Sequence, residues 1–490
     1  MLHDLKLEPK IVQDGIVELG SPVGTPDFEH AFLQKSVQDI LSVLPLLVEM
    51  VNDEKVRHAN KMDQHKNHIV NLYLPARQVA FHLLRFISTC SINFLSRTNS
   101  PAVMNDCCKL LDVSIKSTFS QLCDMTNIDD NAWLQATLPI SPGLGFVPSS
   151  FTTSLAFSAA AFTFFSSNLY ILLPYFDHKS FLSSSSSLAF AFNKALSLCS
   201  SFVKDHPDLS AGATQHNLAS AANKIRLTAL FANSSPVDRH RLQSLSKPHS
   251  CSLFQAYPTN PHLCIPSHLF SYVVHLFLNT TFPFPQAYHC ICSPEQLLDD
   301  HGEHYRLCKK GAAMIVHDHC SNVLQSIARL GGSIVSGPHS LLGTCPDDSN
   351  RRADFLIQSQ SANRAGTMVD IQIINSCSPS HLSPSSSSNN ANSALEYAAN
   401  AKISKHRAAA ANMNVSFVPF IVDYYGCFHE QASSLFASLI ANLDSSHFPA
   451  VNFTARTPAS YWSQVFSVTL WTGHASSIHQ LRLKCLNRKD

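Results

Sequence analysis

Two apolar segments of the chain flank a polar run: Arg352-Ala-Asp-Phe-Leu-Ile357, then the polar residues from Ser359 to Gly366, then Thr367-Met-Val-Asp-Ile-Gln-Ile-Ile374. The two outer segments are rich in apolar, β-branched and aromatic residues, which favour strands. The run between them contains Ser, Asn and Gly, which favour turns. The pattern predicts a β-hairpin in which Asp354 and Asp370 face each other.

A facing pair of carboxylates is a site for a hard cation such as Mg²⁺, which prefers oxygen ligands. A metal held in this way activates water and stabilises an in-line displacement at phosphate, as a nuclease requires. Spacing alone leaves a second interpretation open, in which the hairpin lies on the surface and its aspartates are merely solvated.

The whole-chain composition limits the function classes. The chain has 490 residues, enough for roughly two to four domains. The chain has 35 Lys and Arg residues and 34 Asp and Glu residues, which gives a formal charge of +1. The chain as a whole therefore lacks the excess of positive charge that is typical of a nucleic-acid binder. The chain contains only 15 glycines, and this low number favours a helical fold over an all-β fold with many tight turns. The 15 cysteines, an odd number that follows no signal peptide, indicate reduced thiols in a nuclear or cytoplasmic protein that is not secreted.

One charge-free stretch, from Asn131 to Phe176, is long enough to span a bilayer. It carries Ser, Thr and Asn throughout and contains Pro142, Pro148 and Pro174. These features favour a helix buried in a mostly helical domain, and we predict no membrane span.

The chain divides into a helical first half and a mixed second half. Helical periodicity in the first half covers residues 27–50, 72–95, 105–124, 150–173, 188–204 and 216–231. The second half has the order α-β-β-β-α-β, typical of a compact α/β unit. Its segments are 312–330, 333–335, 352–357, 367–374, 391–412 and 416–422. Serine runs at 183–187 and 383–388 predict linkers.

The predicted domains are a helical region (1–235), a connector with a ligand cluster (236–310), an α/β domain (311–445) and a helical tail (446–490). In the connector, Cys290, Cys292, His304 and Cys308 supply the donors of a closed tetrahedral zinc site. Two alternatives stay open: other histidines compete as donors, or the cysteines pack as small hydrophobic residues. The competing histidines are His289, His301, His317 and His319.

These motifs occur in a fixed order along the chain. They are Cys-x-Cys through His304 to Cys308, a helix with His317, Arg-x-Asp at 352–354, Val-Asp-x-Gln at 369–372, Ala-x₃-Lys-x₂-Lys at 398–405, the strand 417–422 and Gly426. The series resembles the C-terminal part of a non-LTR retrotransposon polyprotein with a restriction-like endonuclease. Upstream, Leu19–Thr25, Ala80–Arg85 and Gln135–Pro139 are similar to the helical stretch after the polymerase palm, so the resemblance covers nearly the full chain.

The resemblance implies an α+β fold: an all-helical N-terminal region, a structural zinc knuckle and a PD-(D/E)XK-like α/β nuclease domain. It implies that Asp354 and Asp370 bind Mg²⁺ or Mn²⁺, with the carbonyl of Ile371 as a further oxygen. Lys402 or Lys405 would offset the charge that builds on the phosphate. The implied partners are target DNA, which the domain nicks, and RNA of the same element.

The chain departs from the family pattern in several places. Ala353 stands where the superfamily commonly has proline, and Gln372 stands where it has lysine, so Gln372 is expected only to orient the water. The helix at 312–330 carries Asp318 and no glutamate. No Tyr-x-Asp-Asp polymerase motif is present. We therefore predict no polymerisation by this chain, and a polymerase supplied elsewhere.

Five basic residues near the motifs are candidates for phosphate contact, although a solvated surface charge explains each of them as well. They are Lys309, Lys310, Arg351, Arg352 and Arg364. Two further functions stay open. The near-neutral charge and Gln372 favour a catalytically dead remnant that binds nucleic acid or protein, while weakened motifs and high Ser and Ala content fit a pseudogene product.

Overall fold

The computed structural model has an α+β fold. It describes residues 14–64, 75–163, 214–282, 289–293, 295–308, 313–340, 352–358, 366–378, 391–443 and 454–486, with a few isolated positions between 180 and 197. The chain forms two compact units, each assembled from separate stretches. The first unit takes residues 1–52, 83–119 and 145–228, and the second takes residues 53–82, 120–144 and 229–490.

The first unit combines a short hairpin with helices. Strands β1 (Gly15–Glu18) and β2 (Ser21–Gly24) pair antiparallel. The first helix begins after Thr25, whose hydroxyl accepts the N–H of Phe28 as an N-cap. The helices wholly or partly in this unit are α1 (Pro26–Leu41), α2 (Leu44–Gln64), α3 (Ala76–Cys90), α4 (Asn93–Thr98), α5 (Pro101–Leu122), α7 (Ser149–Thr163) and α8 (Gln215–Asn233).

Helices dominate the first half, as predicted, but the β1–β2 hairpin shows that the expected all-helical N-terminal region was wrong. The helix predicted at 27–50 is two helices, α1 and α2, and the second runs to Gln64. Helices α7 and α8 pack together through a buried cluster that includes Leu155, Ala159, Leu218 and Ala222. The predicted helix at 188–204 and both serine runs lie largely outside the described residues.

The charge-free stretch begins in the short helix α6 (Asp130–Ala136) and continues through helix α7, whose Leu155 and Phe157 are buried. Its continuation beyond Thr163 lies outside the described residues. Two other helical stretches, Pro26–Glu54 and Ala76–Thr98, are long and apolar enough to cross a membrane by length and composition only. Core helices of soluble proteins meet the same criteria, so these two stretches do not by themselves indicate a membrane span.

The second unit holds a mixed four-stranded sheet. Its strands are β3 (Ile334–Ser336), β6 (Phe355–Gln358), β7 (Thr367–Ile374) and β8 (Ser416–Asp423), in the spatial order β3-β6-β7-β8. A separate two-residue pair consists of β4 (His339–Ser340) and β5 (Arg352–Ala353). The predicted hairpin is confirmed, since β6 and β7 pair antiparallel. Strand β8 runs parallel to β7.

Among the described residues, eight further helices lie wholly in the second unit. They are α6 (Asp130–Ala136), α9 (Pro236–Leu245), α10 (Ser267–Leu278), α11 (Glu303–Leu307), α12 (Ala313–Leu330), α13 (Ala391–Asn412), α14 (Glu430–Ala441) and α15 (Pro458–Leu486). Helices α12, α13 and α14 contact the strands of this sheet. Helix α13 connects the parallel strands β7 and β8, as a crossover in an α/β unit requires. Its small residues Ala394, Ala398 and Ala409 are buried against the sheet, which lets the helix backbone approach closely.

The predicted helical tail is one long helix, α15, with much of its length buried. Trp471 and Ile478 are fully buried. Gly473 of α15 packs against Val316 of α12, where an added Cβ would lie 3.1 Å from the valine side chain. Helix α12 is therefore fixed in position by close packing against α15.

Candidate active site and metal centre

Asp354 lies at a bulge next to β6. Its N–H donates to the carbonyl of Val369 at 3.0 Å, and Val369 is also the register partner of Phe355. Two residues thus oppose one, which is the pattern of a β-bulge, a feature that re-aims side chains beside functional sites. The carboxylate of Asp354 turns toward the backbone of β7, where its Oδ2 accepts the N–H of Ile371 at 2.6 Å.

A histidine from helix α12 also contacts Asp354. Nε2 of His317 lies 3.1 Å from Asp354 Oδ2, and Nδ1 lies 3.1 Å from Asp318 Oδ1. The hydrogen bond to Asp354 outweighs the opposing effect of burial and, with that to Asp318, raises the pKa of His317 to about 9. The ring is therefore a positively charged partner of Asp354 at neutral pH.

Asp370 is the more buried carboxylate of the pair and has two basic partners. Its Oδ2 accepts a hydrogen bond from Lys402 Nζ at 2.7 Å and lies 3.3 Å from Nε2 of the buried His406. Burial by itself would raise the pKa of Asp370, but His406 and Lys402 together hold that pKa below its ordinary value. Lys402 and His406 are four residues apart on α13, so one face of this helix brings both to β7.

The two aspartates lie on neighbouring strands. Oδ2 of Asp354 is bonded to the amide of Ile371, the residue that follows Asp370. In each aspartate, the described residues that form hydrogen bonds or ion pairs with the carboxylate contact its Oδ2 atom. The Oδ1 atom of each has no hydrogen-bond partner among the described residues. Each carboxylate therefore has one oxygen held by the protein and one oxygen left for a further ligand.

The fold separates the two lysines that the sequence left as alternatives. Lys402 contacts Asp370, whereas Lys405, three residues further along α13, is exposed. Gln372 is half-buried and lies two residues beyond Asp370, hence on the same face of β7. Of the candidates for phosphate contact, Lys309, Lys310, Arg351, Arg364 and the side chain of Arg352 lie outside the described residues.

Two histidines of this site were not predicted as parts of it. The sequence left His317 open as an alternative zinc donor, and the structure instead places its ring against Asp354 and Asp318. His406 was not singled out at all. The one available signal was its spacing from Lys402, since residues four apart share a helix face.

The four predicted zinc ligands converge. One donor atom from each of Cys290, Cys292, His304 and Cys308 lies within 4.8 Å of the others. The Cys290 and Cys308 sulfurs are 3.5 Å apart, and Cys292 Sγ is 3.4 Å from His304 Nε2. Ordinary Zn–S and Zn–N bonds in a tetrahedron place donor atoms roughly 3.5–3.8 Å apart. The donor set and its spacing therefore fit zinc, and within the described residues no competing histidine joins the set.

Local hydrogen bonds preorganise this cluster. Asp299 accepts the N–H groups of His301, Glu303 and His304 at 3.1, 2.7 and 2.6 Å, which caps the short helix α11 that carries His304. The N–H of Cys292 donates to Cys290 Sγ at 3.4 Å. Burial raises the pKa of the Cys290 thiol to about 12, so its ionised form needs a nearby cation.

Arg306 connects the cluster to the sheet. It lies between His304 and Cys308 in the chain and is buried. Its guanidinium lies over the rings of Tyr424 and Tyr425, 5.0 and 5.5 Å from their centroids. These tyrosines follow strand β8 directly, so a cation–π contact joins the zinc-binding segment to the end of that strand.

No protein-family model and no curated protein matches this sequence. The chemistry of the chain therefore has to be inferred from the residues themselves.

Proposed function

We propose that this chain derives from a retrotransposon and that its α/β unit is a metal-dependent, restriction-like DNA endonuclease that nicks target DNA. One observation carries the proposal: Asp354 Oδ2 accepts the N–H of Ile371, the residue that follows Asp370 on the neighbouring strand, and Lys402 Nζ lies 2.7 Å from Asp370 Oδ2. Two carboxylate oxygens beside a lysine suit both a hard divalent cation and a phosphate. A solvated surface hairpin would not bury Asp370 to 5% exposure.

The residues of the site have separate roles in this proposal. Asp354 and Asp370 would hold Mg²⁺ or Mn²⁺, which when bound activates water and neutralises charge on the phosphate. Lys402 offsets negative charge on the phosphate as the bond breaks. His406 and Lys402 keep Asp370 ionised, as the lowered pKa of its carboxyl indicates. Gln372, on the same face of β7, can orient the water but supplies no charge.

We propose a structural role for zinc at the cysteine–histidine cluster. Its four ligands are all protein side chains, which leaves no open position for substrate and is typical of structural sites. Through Arg306 the metal would stabilise the segment next to β8. DNA is the proposed partner, with element RNA as a second one, in a nuclear or cytoplasmic protein. Since the net charge is +1, DNA binding would depend on local basic residues.

Plasmid nicking tests the nuclease proposal. Supercoiled plasmid is incubated with Mg²⁺ and either the wild-type chain, Asp370→Asn or the matched control Asp27→Asn, which alters an exposed aspartate of α1. We expect Asp370→Asn to nick at least about 100-fold more slowly, because one ligand charge is lost, and Asp27→Asn to behave as wild type. Equal nicking by all three proteins would remove the assignment. Zinc content and circular dichroism verify that each variant is folded.

One observation favours a second function. Both carboxylates already contact basic side chains, and residue 372 lacks the lysine of the superfamily. A remnant with this arrangement would keep the fold and bind nucleic acid without cutting it. DNA affinity that falls steeply with salt, together with no cleavage in Mg²⁺, Mn²⁺ or Ca²⁺, would favour the remnant over the enzyme.

A further inference from the structure

His317 reaches the candidate site from helix α12, an element that the two-carboxylate proposal does not otherwise use. Its Nε2 lies 3.1 Å from the same Oδ2 of Asp354 that accepts the Ile371 amide. The imidazole and the amide therefore hold one carboxylate oxygen between them.

The ring of His317 is itself held at both ends. Its Nδ1 lies 3.1 Å from Asp318 Oδ1. Each ring nitrogen therefore has a carboxylate oxygen as its hydrogen-bond partner. The side chain is 22% exposed, which places it at the margin of the site, within reach of solvent but not free in it.

The backbone that carries His317 is fixed as well. The neighbouring Val316 is 2% exposed, and Cys320, one turn further along, is fully buried. Val316 packs closely against Gly473: a Cβ added at Gly473 would lie 3.1 Å from the Val316 side chain. The position of the imidazole is thus set by core packing rather than by a mobile surface helix.

We infer that His317 is a positioning residue for Asp354: by fixing Oδ2 it presents Oδ1 to a divalent cation shared with Asp370. This inference rests on the proposed nuclease function and names a residue of that same site. Hydrogen bonds to a metal ligand typically change metal affinity by 10–100-fold when they are removed. Without His317, the Ile371 amide would be the remaining donor to Asp354 among the described residues.

A metal titration tests the inference with a readout that does not require turnover. Free Mn²⁺ is measured by electron paramagnetic resonance as it is added to the full-length, zinc-loaded chain, and half-saturation for nicking is measured in parallel. The variants are His317→Leu, which removes the donor, His317→Gln, which keeps an N–H donor, and Asp354→Asn. His319→Leu, on an exposed position two residues further along α12, is the control.

We expect His317→Leu to weaken Mn²⁺ binding about 10–100-fold, while His317→Gln and His319→Leu stay within about threefold of wild type. Unchanged affinity in His317→Leu, or an equal loss in His317→Gln, would overturn the positioning role. If Asp354→Asn also binds Mn²⁺ like wild type, the proposed metal site itself fails, and the inference fails with it. Thermal unfolding of each variant distinguishes a lost hydrogen bond from a lost fold.

Discussion

The cysteine–histidine cluster and the aspartate pair are both candidate metal sites, but they are built differently. All four donors of the cluster come from one short segment, Cys290 to Cys308, and thiols supply three of them. The aspartate pair draws its side-chain partners from two helices, α12 through His317 and α13 through Lys402 and His406. Its carboxylates already contact basic side chains. The cluster should therefore depend on its metal for folding, whereas the pair should fold without one.

The largest effect is expected from opening the cluster. Cys308→Ser removes a buried sulfur, and we expect the protein to lose its zinc and the second unit to lose more than about 5 kcal/mol of unfolding free energy. Cys90→Ser, which changes an exposed cysteine, should retain full zinc content. The measurements are zinc analysis and urea unfolding. Full zinc occupancy in Cys308→Ser would show that the cluster is not the zinc site.

The next effect concerns the lysines of helix α13. Lys402→Met removes the cation 2.7 Å from Asp370, and we expect nicking to fall about 100-fold. Lys405→Met changes an exposed residue of the same helix and should nick within about threefold of wild type. Both lysine variants should keep their zinc, which would show that a loss of nicking does not come from the zinc cluster. Equal losses in the two variants would assign both lysines to nonspecific DNA contact.

The two sites should respond to pH in opposite directions. Zinc retention rises with pH because thiols bind the metal when deprotonated. The pKa of His317 is raised to about 9 from an ordinary 6.5. Its contribution to stability is therefore complete below about pH 6.5 and is lost as pH rises toward 9. The upper limit is about 3 kcal/mol, since a tenfold change in proton affinity equals about 1.4 kcal/mol.

Urea unfolding without added Mg²⁺ at pH 6.5 and pH 9 measures this loss. His317→Gln should show a smaller decrease across the same interval than wild type. An identical decrease in both proteins would contradict the ion pair with Asp354.

A smaller effect is expected at the cap of helix α11. Asp299→Ala removes the acceptor of three backbone N–H groups near His304 and should cost about 1–2 kcal/mol of unfolding free energy. Asp300→Ala, at the exposed neighbouring position, should leave stability within about 0.5 kcal/mol of wild type. Thermal unfolding of the two zinc-loaded variants compares their stabilities. Similar losses of stability in both would show that Asp299 does not cap helix α11.

The contrast between the sites also explains what the sequence could predict. The hairpin of β6 and β7 follows from local strand and turn patterns, and the zinc ligands follow from spacing within one segment. His317 lies 37 residues from Asp354, so tertiary packing of α12, which contacts α15 and strands β3 and β7, brings them together. The sequence offered Lys402 and Lys405 equally, because the face that α13 turns to the sheet is fixed by its buried alanines. The bulge at Asp354 carries no residue pattern that distinguishes it from a regular strand.

Anomalous scattering from a crystal soaked in Mn²⁺ would show whether Asp354 and Asp370 share one divalent cation. We expect one Mn²⁺ peak bonded to both Asp354 and Asp370, with oxygen ligands at about 2.1–2.2 Å, and zinc alone at Cys290, Cys292, His304 and Cys308. A Mn²⁺ peak bonded to only one aspartate or to neither, with His317 still hydrogen-bonded to Asp354 and Lys402 to Asp370, would contradict the shared metal site.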